Sequence, residues 1–354
     1  MDTAAVLGID DMGHRARTVG FQTGERNVFF HVLTACNLSC KHCYINPAQH
    51  GSRRVSREEM GGWLELFADK QKKTNLIFLG GEPSLHPDLA YGIARARELG
   101  FTVTVDSNGY LFHDFLERVR PEQLDYLSFS LDGPDSEIND PIRGEGVFAV
   151  CTGNMRRAVE LGFNVSVIYT VSSKNIDHLD RMVPLLVDIG VKRFFIQVIG
   201  LRGKSAGSER QSGPAAGEEP LQVSRERWLS VVPGVAEAAA ERGIHVTYPK
   251  VFLDAGEKFE CAGLVAENYF IFPNGRVYRC PLCEDHPINS LRIEDGRLVA
   301  APGLTEGNFF SLTIPEGCVM NKLLQPDTIA YDRQGRPEFK ISCCLLKQEV
   351  KRQL

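Results

Sequence analysis

NVFFHVLTACNLSCKHCYIN, residues 27–46, runs an apolar, strand-length segment directly into a loop that carries three cysteines. Its first part, NVFFHVLT (27–34), opens a series of similar runs: NLIFLG (75–80), FTVTVDS (101–107), DYLSFSL (125–131), FNVSVIYTV (163–171) and VKRFFIQVI (191–199). Segments of helical periodicity lie between or after them, at 58–70, 88–99, 112–119, 148–161 and 176–189. Gly100, Gly162 and Gly190 stand just before the next strand, where a helix is expected to stop. Six such units in series imply a parallel sheet with right-handed crossovers, in a barrel or in an open doubly wound sheet. In both, ligands belong at the carboxyl ends of the strands, which is where the cysteine loop sits.

That loop is Cys36-Asn37-Leu38-Ser39-Cys40-Lys41-His42-Cys43, a CxxxCxxC spacing. Three thiolates within eight residues suit an iron-sulfur cluster or zinc, and three core cysteines are the plain alternative. The triad is one ligand short of a closed zinc site. The rest of the composition is ordinary. A net charge of -5 gives no electrostatic reason to expect nucleic acid. No apolar run is long enough to cross a membrane, and the first 20 residues lack a secretory apolar stretch, so a cytoplasmic location is expected. In that reducing compartment ten cysteines point to metal or redox chemistry rather than disulfides. Cys151 stands alone in a helical segment and reads as core.

Downstream, 202–220 (RGKSAGSERQSGPAAGEEP) has the composition of a flexible insertion. A helix over 223–242 leads to a strand at 244–248, and ENYFIF (267–272), Pro273-Asn274-Gly275 and RVYRC (276–280) read as a hairpin. From about residue 297 the pattern is irregular.

The cysteine loop after the first strand resembles the CxxxCxφC motif of the radical S-adenosylmethionine (SAM) enzymes, with His42 at φ. The resemblance covers roughly residues 26–200. It implies a partial (β/α)6 TIM-like barrel, and a [4Fe-4S] cluster on Cys36, Cys40 and Cys43 whose fourth iron binds SAM. It also implies that SAM is cleaved to a 5'-deoxyadenosyl radical, which removes a substrate hydrogen atom. Gly80-Gly81-Glu82-Pro83 resembles the GGEP motif that holds the SAM amino group. Ser107 and Asn108, Ser130 and Asp132, and Arg143 occupy positions from which family members contact the SAM ribose and carboxylate.

Cys261 and Cys280, with the hairpin between them, resemble the start of a SPASM or twitch extension, which holds an auxiliary iron-sulfur cluster. The expected ligands of an auxiliary [4Fe-4S] cluster are Cys261, Cys280, Cys318 and Cys343, with Cys283 and Cys344 as alternatives. Cys280-Pro281-Leu282-Cys283 also reads as half a zinc knuckle. The division implied is an N-terminal extension (1–25), a radical SAM core (26–250) and a small irregular cluster-binding domain containing the hairpin (251–354). No catalytic base is identified: Asp254, Glu257, Glu260, Glu284 and Asp285 are equivalent candidates.

The resemblance implies a maturase acting on a peptide or protein side chain. A small-molecule dehydrogenase or epimerase, acting on a sugar, an aminoglycoside or a cofactor precursor, is the alternative, and a non-catalytic metal-binding protein is the reading of a different class. Expected partners are the substrate, an electron donor such as flavodoxin or ferredoxin, and a separate leader-binding protein, since 25 residues before the first strand are too few for a leader-binding domain. Neither nucleic acid nor membrane is expected.

Overall fold

The computed structural model describes residues 16–111, 114–206 and 220–351. A short strand, β1 (Arg17–Val19), precedes seven parallel ones: β2 (Glu25–His31), β3 (Lys73–Leu79), β4 (Thr102–Ser107), β5 (Tyr126–Ser130), β6 (Val165–Val171), β7 (Arg193–Val198) and β8 (His245–Pro249). From β3 onward each pairs with its predecessor, with Phe30 opposite Phe78 and Val167 opposite Phe194. The alternation of side chains along these strands decides between barrel and open sheet. Outward residues such as Val28, Phe30, Phe78, Val105, Phe129 and Phe194 are fully buried against helices, and each large one stabilises by roughly 2 kcal/mol. Inward positions are polar or mixed: Asn27, Asn75, Asp106, Ser128, Ser166 and Gln197 all face one cavity. An open sheet covered on both faces would be apolar on both; a polar inner face belongs to a barrel wall that receives a ligand.

Helices Arg57–Glu65, Leu89–Glu98, Val147–Glu160, Met182–Ile189 and Arg225–Glu241 cover the outside. Ser56 and Glu59 close the first in a capping box. Gly100, Gly162 and Gly190 all have positive φ at the ends of helices, as their placement in the sequence predicts. The expected helix over 176–189 is a 3-10 turn, Ile176–His178, followed by Met182–Ile189. The segment expected at 112–119 is helical over Phe115–Arg118, and its first two residues lie outside those described. An unexpected helix, Ser136–Arg143, is started by the Asp135 side chain, which accepts from Ile138 N.

The sheet continues past residue 250. β10 (Glu267–Ile271) adds parallel to β2, and β11 (Arg276–Tyr278), β12 (Leu291–Glu294) and β13 (Arg297–Ala300) follow it antiparallel. The β10–β11 turn is the expected Asn274-Gly275, with Gly275 at φ +81. At the other edge β15 (Lys347–Val350) lies between β8 and β1. A two-stranded sheet pairs β9 (Phe252–Leu253) with β14 (Lys340–Ile341). The partial barrel is thus extended by C-terminal strands on both edges. Most of the 202–220 insertion, residues 207–219, lies outside the described residues. Its first residues are packed, with Ser205 fully buried.

Candidate active site

The cysteine loop leaves β2 and rests on the turn that follows β3. Gly81 N donates to Leu33 O at 3.0 Å and Glu82 N to Ala35 O at 2.9 Å. A Cβ at Gly81 would stand 2.2 Å from Ala35 O, and one at Gly80 would stand 2.7 Å from Leu33 O. These glycines therefore serve contact between the two loops. Glu82 is fully buried. Its carboxylate accepts from Ser84 N at 2.9 Å, Ser107 Oγ at 2.9 Å and Asn108 N at 2.7 Å. Burial pushes this carboxyl up, and the donors pull it back. Pro83 opens the 3-10 turn Pro83–Leu85. Asn108 Nδ2 donates to Asn37 Oδ1 at 2.8 Å and lies 3.6 Å from Cys36 Sγ.

A second set of contacts fixes the other side of the loop. Asp132, just past β5, is fully buried. Its Oδ2 meets Arg143 Nε at 2.6 Å and His42 Nε2 at 3.1 Å, while Oδ1 accepts from Thr170 N at 2.7 Å. Burial alone would raise the Asp132 carboxyl; Arg143 and His42 overcome it and hold it at about 2. Arg143, the last residue of the unexpected helix, also takes the Cys40 thiol on its carbonyl at 3.7 Å. Burial pushes Cys36 to about 11 and raises Cys40, the latter against the pull of Arg143. Ser130 lines the cavity, and its carbonyl accepts from Cys151, which is fully buried core.

Cys36, Cys40 and Cys43 face a cavity of about 1390 Å³. Asn37 Nδ2 and His42 Nδ1 are buried in the same loop without a partner. Three soft sulfur donors on one loop, with orphaned polar atoms and a fixed arginine beside them, fit an iron-sulfur group that keeps one coordination position open.

The C-terminal cysteines also converge. Cys261, Cys280, Cys318, Cys343 and Cys344 line one small pocket. Cys283 is fully buried beside Cys280 and Glu306, the three ligand atoms lying within 4.8 Å of one another. Glu306 is buried and accepts from Cys280 N at 3.0 Å and Ser290 Oγ at 2.8 Å. It carries no signal in the sequence. These thiols fit a second cluster, with more sulfurs than four positions require.

The two thiol groups are joined by the residues after β7. Arg202 Nη1 donates to Glu284 Oε2 at 2.7 Å and to Pro281 O at 2.8 Å, and its guanidinium lies over the Tyr44 ring. Gly203 N donates to Asp285 Oδ2 at 2.7 Å. Tyr44 OH meets His31 Nε2 at 2.9 Å, and Phe272 is stacked between His31 and His50. Glu284 and Asp285 are thereby engaged in structural contacts. Asp254 pairs with Arg225 and Glu257 with Lys250.

Residues 31–186 match the family model of the radical SAM superfamily. The chain is 28% identical over 187 residues to Fe-coproporphyrin III synthase of Methanosarcina barkeri, covering 51% of this chain and 46% of that protein. It is 25% identical over 284 residues to mycofactocin maturase MftC of Mycobacterium ulcerans, covering 78% and 70%. In structure it resembles SuiB of Streptococcus suis bound to precursor peptide SuiA, with a TM-score of 0.58, 13% identity and coverage of 76% and 62%. The matches span about half the length of the first curated relatives. Among the described residues no helix is long and apolar enough to cross a membrane. The chain therefore carries, over residues 31–186, a domain that matches the radical SAM superfamily, and it continues past that domain into further strands on both edges of the partial barrel.

Proposed function

We propose that this protein is a radical SAM maturase that removes a hydrogen atom from a peptide or protein side chain. One observation carries the reading: the cavity faced by Cys36, Cys40 and Cys43 also reaches Pro281 and Cys344, so a substrate inside it stands between the two thiol groups. Cys36, Cys40 and Cys43 would hold the [4Fe-4S] cluster. The chemistry supplied there with SAM bound is one-electron cleavage of the sulfonium and hydrogen-atom removal from substrate. The chain's own residues orient the partners. Asp132 keeps Arg143 charged and fixed beside Cys40 for an anionic group of SAM. Glu82 ties together the turns that carry Ser107 and Asn108, and Ser130 completes that wall. Cys261, Cys280, Cys318 and Cys343 would hold an auxiliary [4Fe-4S] cluster. The division into a core over 26–250 and a cluster-binding region over 251–354 belongs to this reading. So do a flavodoxin or ferredoxin as electron source and a separate leader-binding partner.

The test is anaerobic reconstitution with SAM and reductant. 5'-Deoxyadenosine is expected from the wild type and not from the Cys36, Cys40, Cys43 triple Ala variant. That variant is expected to keep about four iron atoms, the load of one four-cysteine cluster. Equal nucleoside release from both proteins would defeat the radical reading, and zinc in place of the retained iron would defeat the auxiliary one.

A small-molecule substrate is the second reading, favoured by the likeness to a protein named Fe-coproporphyrin III synthase. Modification of a small molecule, with no peptide modified, would select it.

A further inference from the structure

Two cations on the barrel wall play no part in the sites described so far. Arg193 opens β7 at its amino end, and its guanidinium lies over the Tyr126 ring, 4.4 Å from the centroid. Lys347 opens β15, and its ammonium lies 5.2 Å from the centre of the Phe195 ring. Both line the large cavity. At the cavity wall, desolvation together with Arg193 pushes the Lys347 ammonium down. Among the described residues neither cation has a carboxylate within ion-pair distance. Asp106 on β4 is the acid that faces them, and burial raises its carboxyl to about 7 against the pull of Arg193 and Lys347. The wall therefore carries two like charges with incomplete compensation.

A guanidinium presents a planar fork of N–H donors, the geometry that a carboxylate accepts in bidentate fashion. The aromatic faces satisfy part of each cation's need for negative potential without supplying a counter-ion. Arg193 starts from the amino end of its strand, whereas the cysteine loop follows the carboxyl end of β2. Lys347 stands opposite Pro249 at the carboxyl end of β8 and reaches back over Phe195, so a group held by both cations lies along the wall between the two ends of the barrel.

We propose that Arg193 and Lys347 form a carboxylate-binding subsite in the barrel that anchors an acidic group of the substrate. It rests on the reading above that the substrate enters this cavity. The carboxylate can come from an acidic side chain of a peptide or from a small carboxylic acid.

The test is equilibrium binding to the anaerobically reconstituted, SAM-loaded protein, read by saturation-transfer NMR and calorimetry. The probes are glutarate, acetyl-Gly-Glu-Gly-amide and its Gln counterpart. At least one carboxylate binds and the Gln peptide does not; glutarate alone identifies a small acid, and the Glu peptide identifies a peptide. R193Q and K347Q each weaken binding about tenfold, as loss of a charge-assisted hydrogen bond does. R193K retains more affinity than R193Q, and D106N tightens binding by removing a competing acid. The proposal is overturned if neither carboxylate binds at about 10 mM. It is also overturned if the Gln peptide binds equally, if D106N weakens binding, or if R193Q and K347Q bind as the wild type does. Wild-type 5'-deoxyadenosine formation is measured in parallel. Its absence counts against the proposed function, whereas failed carboxylate binding alongside normal nucleoside release counts against the subsite alone.

Discussion

Arg202 Nη1 lies 2.7 Å from Glu284 Oε2, and this buried ion pair ties the residues after β7 to the loop that follows Cys283. Burial pushes the Glu284 carboxyl up while Arg202 opposes the rise. Removing one partner leaves the other buried without compensation, which costs more than removing both. R202M is expected to lose about 3 kcal/mol in denaturant unfolding. The double variant R202M/E284Q should recover part of that loss. A double variant no more stable than R202M would show that the pair does not join these loops.

Two glycine substitutions should act in opposite directions. G81A places a methyl 2.2 Å from Ala35 O and 2.4 Å from Thr34 O, so the cysteine loop must move off the GGEP turn. Reconstituted G81A should lose most of the iron that depends on Cys36, Cys40 and Cys43. Gly62, in a helix with nothing near its Cβ position, should gain about 0.5–1 kcal/mol of stability as Ala. Iron analysis and urea titration read these outcomes separately; normal iron in G81A would mean the loop can tolerate displacement.

The C-terminal thiols should divide by position. Cys261, Cys280, Cys318 and Cys343 line the same pocket, while Cys283 is packed behind Cys280 against Glu306. In the Cys36, Cys40, Cys43 triple Ala background, C280A and C318A should abolish the remaining iron, and C283A should retain it. Iron lost on C283A and kept on C343A would exchange their roles.

Asp106 predicts a pH dependence whose sign can be worked out. Its folded-state carboxyl is raised to about 7 by burial, with Ser128, Arg193 and Lys347 opposing and Glu82 reinforcing the rise. The unfolded carboxyl ionises near 4. Between these values the folded state holds the extra proton, so the stabilising contribution of Asp106, complete below about 4, is lost as pH rises through about 7. The melting temperature of D106N relative to the wild type should therefore climb from pH 4 to 7 and then level off. A difference independent of pH would mean that Asp106 ionises as it does in water.

Much of this was legible because the signals are local. Three cysteines within one loop announce a ligand set without any knowledge of tertiary contacts, and Asn274-Gly275 specifies its own turn. The glycines after helices did the same. Asp132 was legible as a position but not as the common partner of His42 and Arg143, because that contact joins segments distant in the chain. Helix Ser136–Arg143 was hidden by Asp135 and Pro141, which read as turn residues although one caps the helix and the other lies inside it. Glu306 gave no warning: a single acid in an irregular region looks like surface until backbone donors surround it. Arg193 and Lys347 were equally silent, since one charge at the start of a strand is ordinary.

The parallel pairing of β10 with β2 has a consequence for dissection of the chain. The open side of β2 presents a row of backbone donors and acceptors, which Glu267–Ile271 occupies over five register positions. A fragment stopped at residue 250 would lose that cover, and an uncovered strand edge recruits strands from other molecules. Such a fragment is expected to self-associate and precipitate rather than behave as a smaller version of the parent. The extension therefore also covers the β2 edge that an isolated barrel would expose.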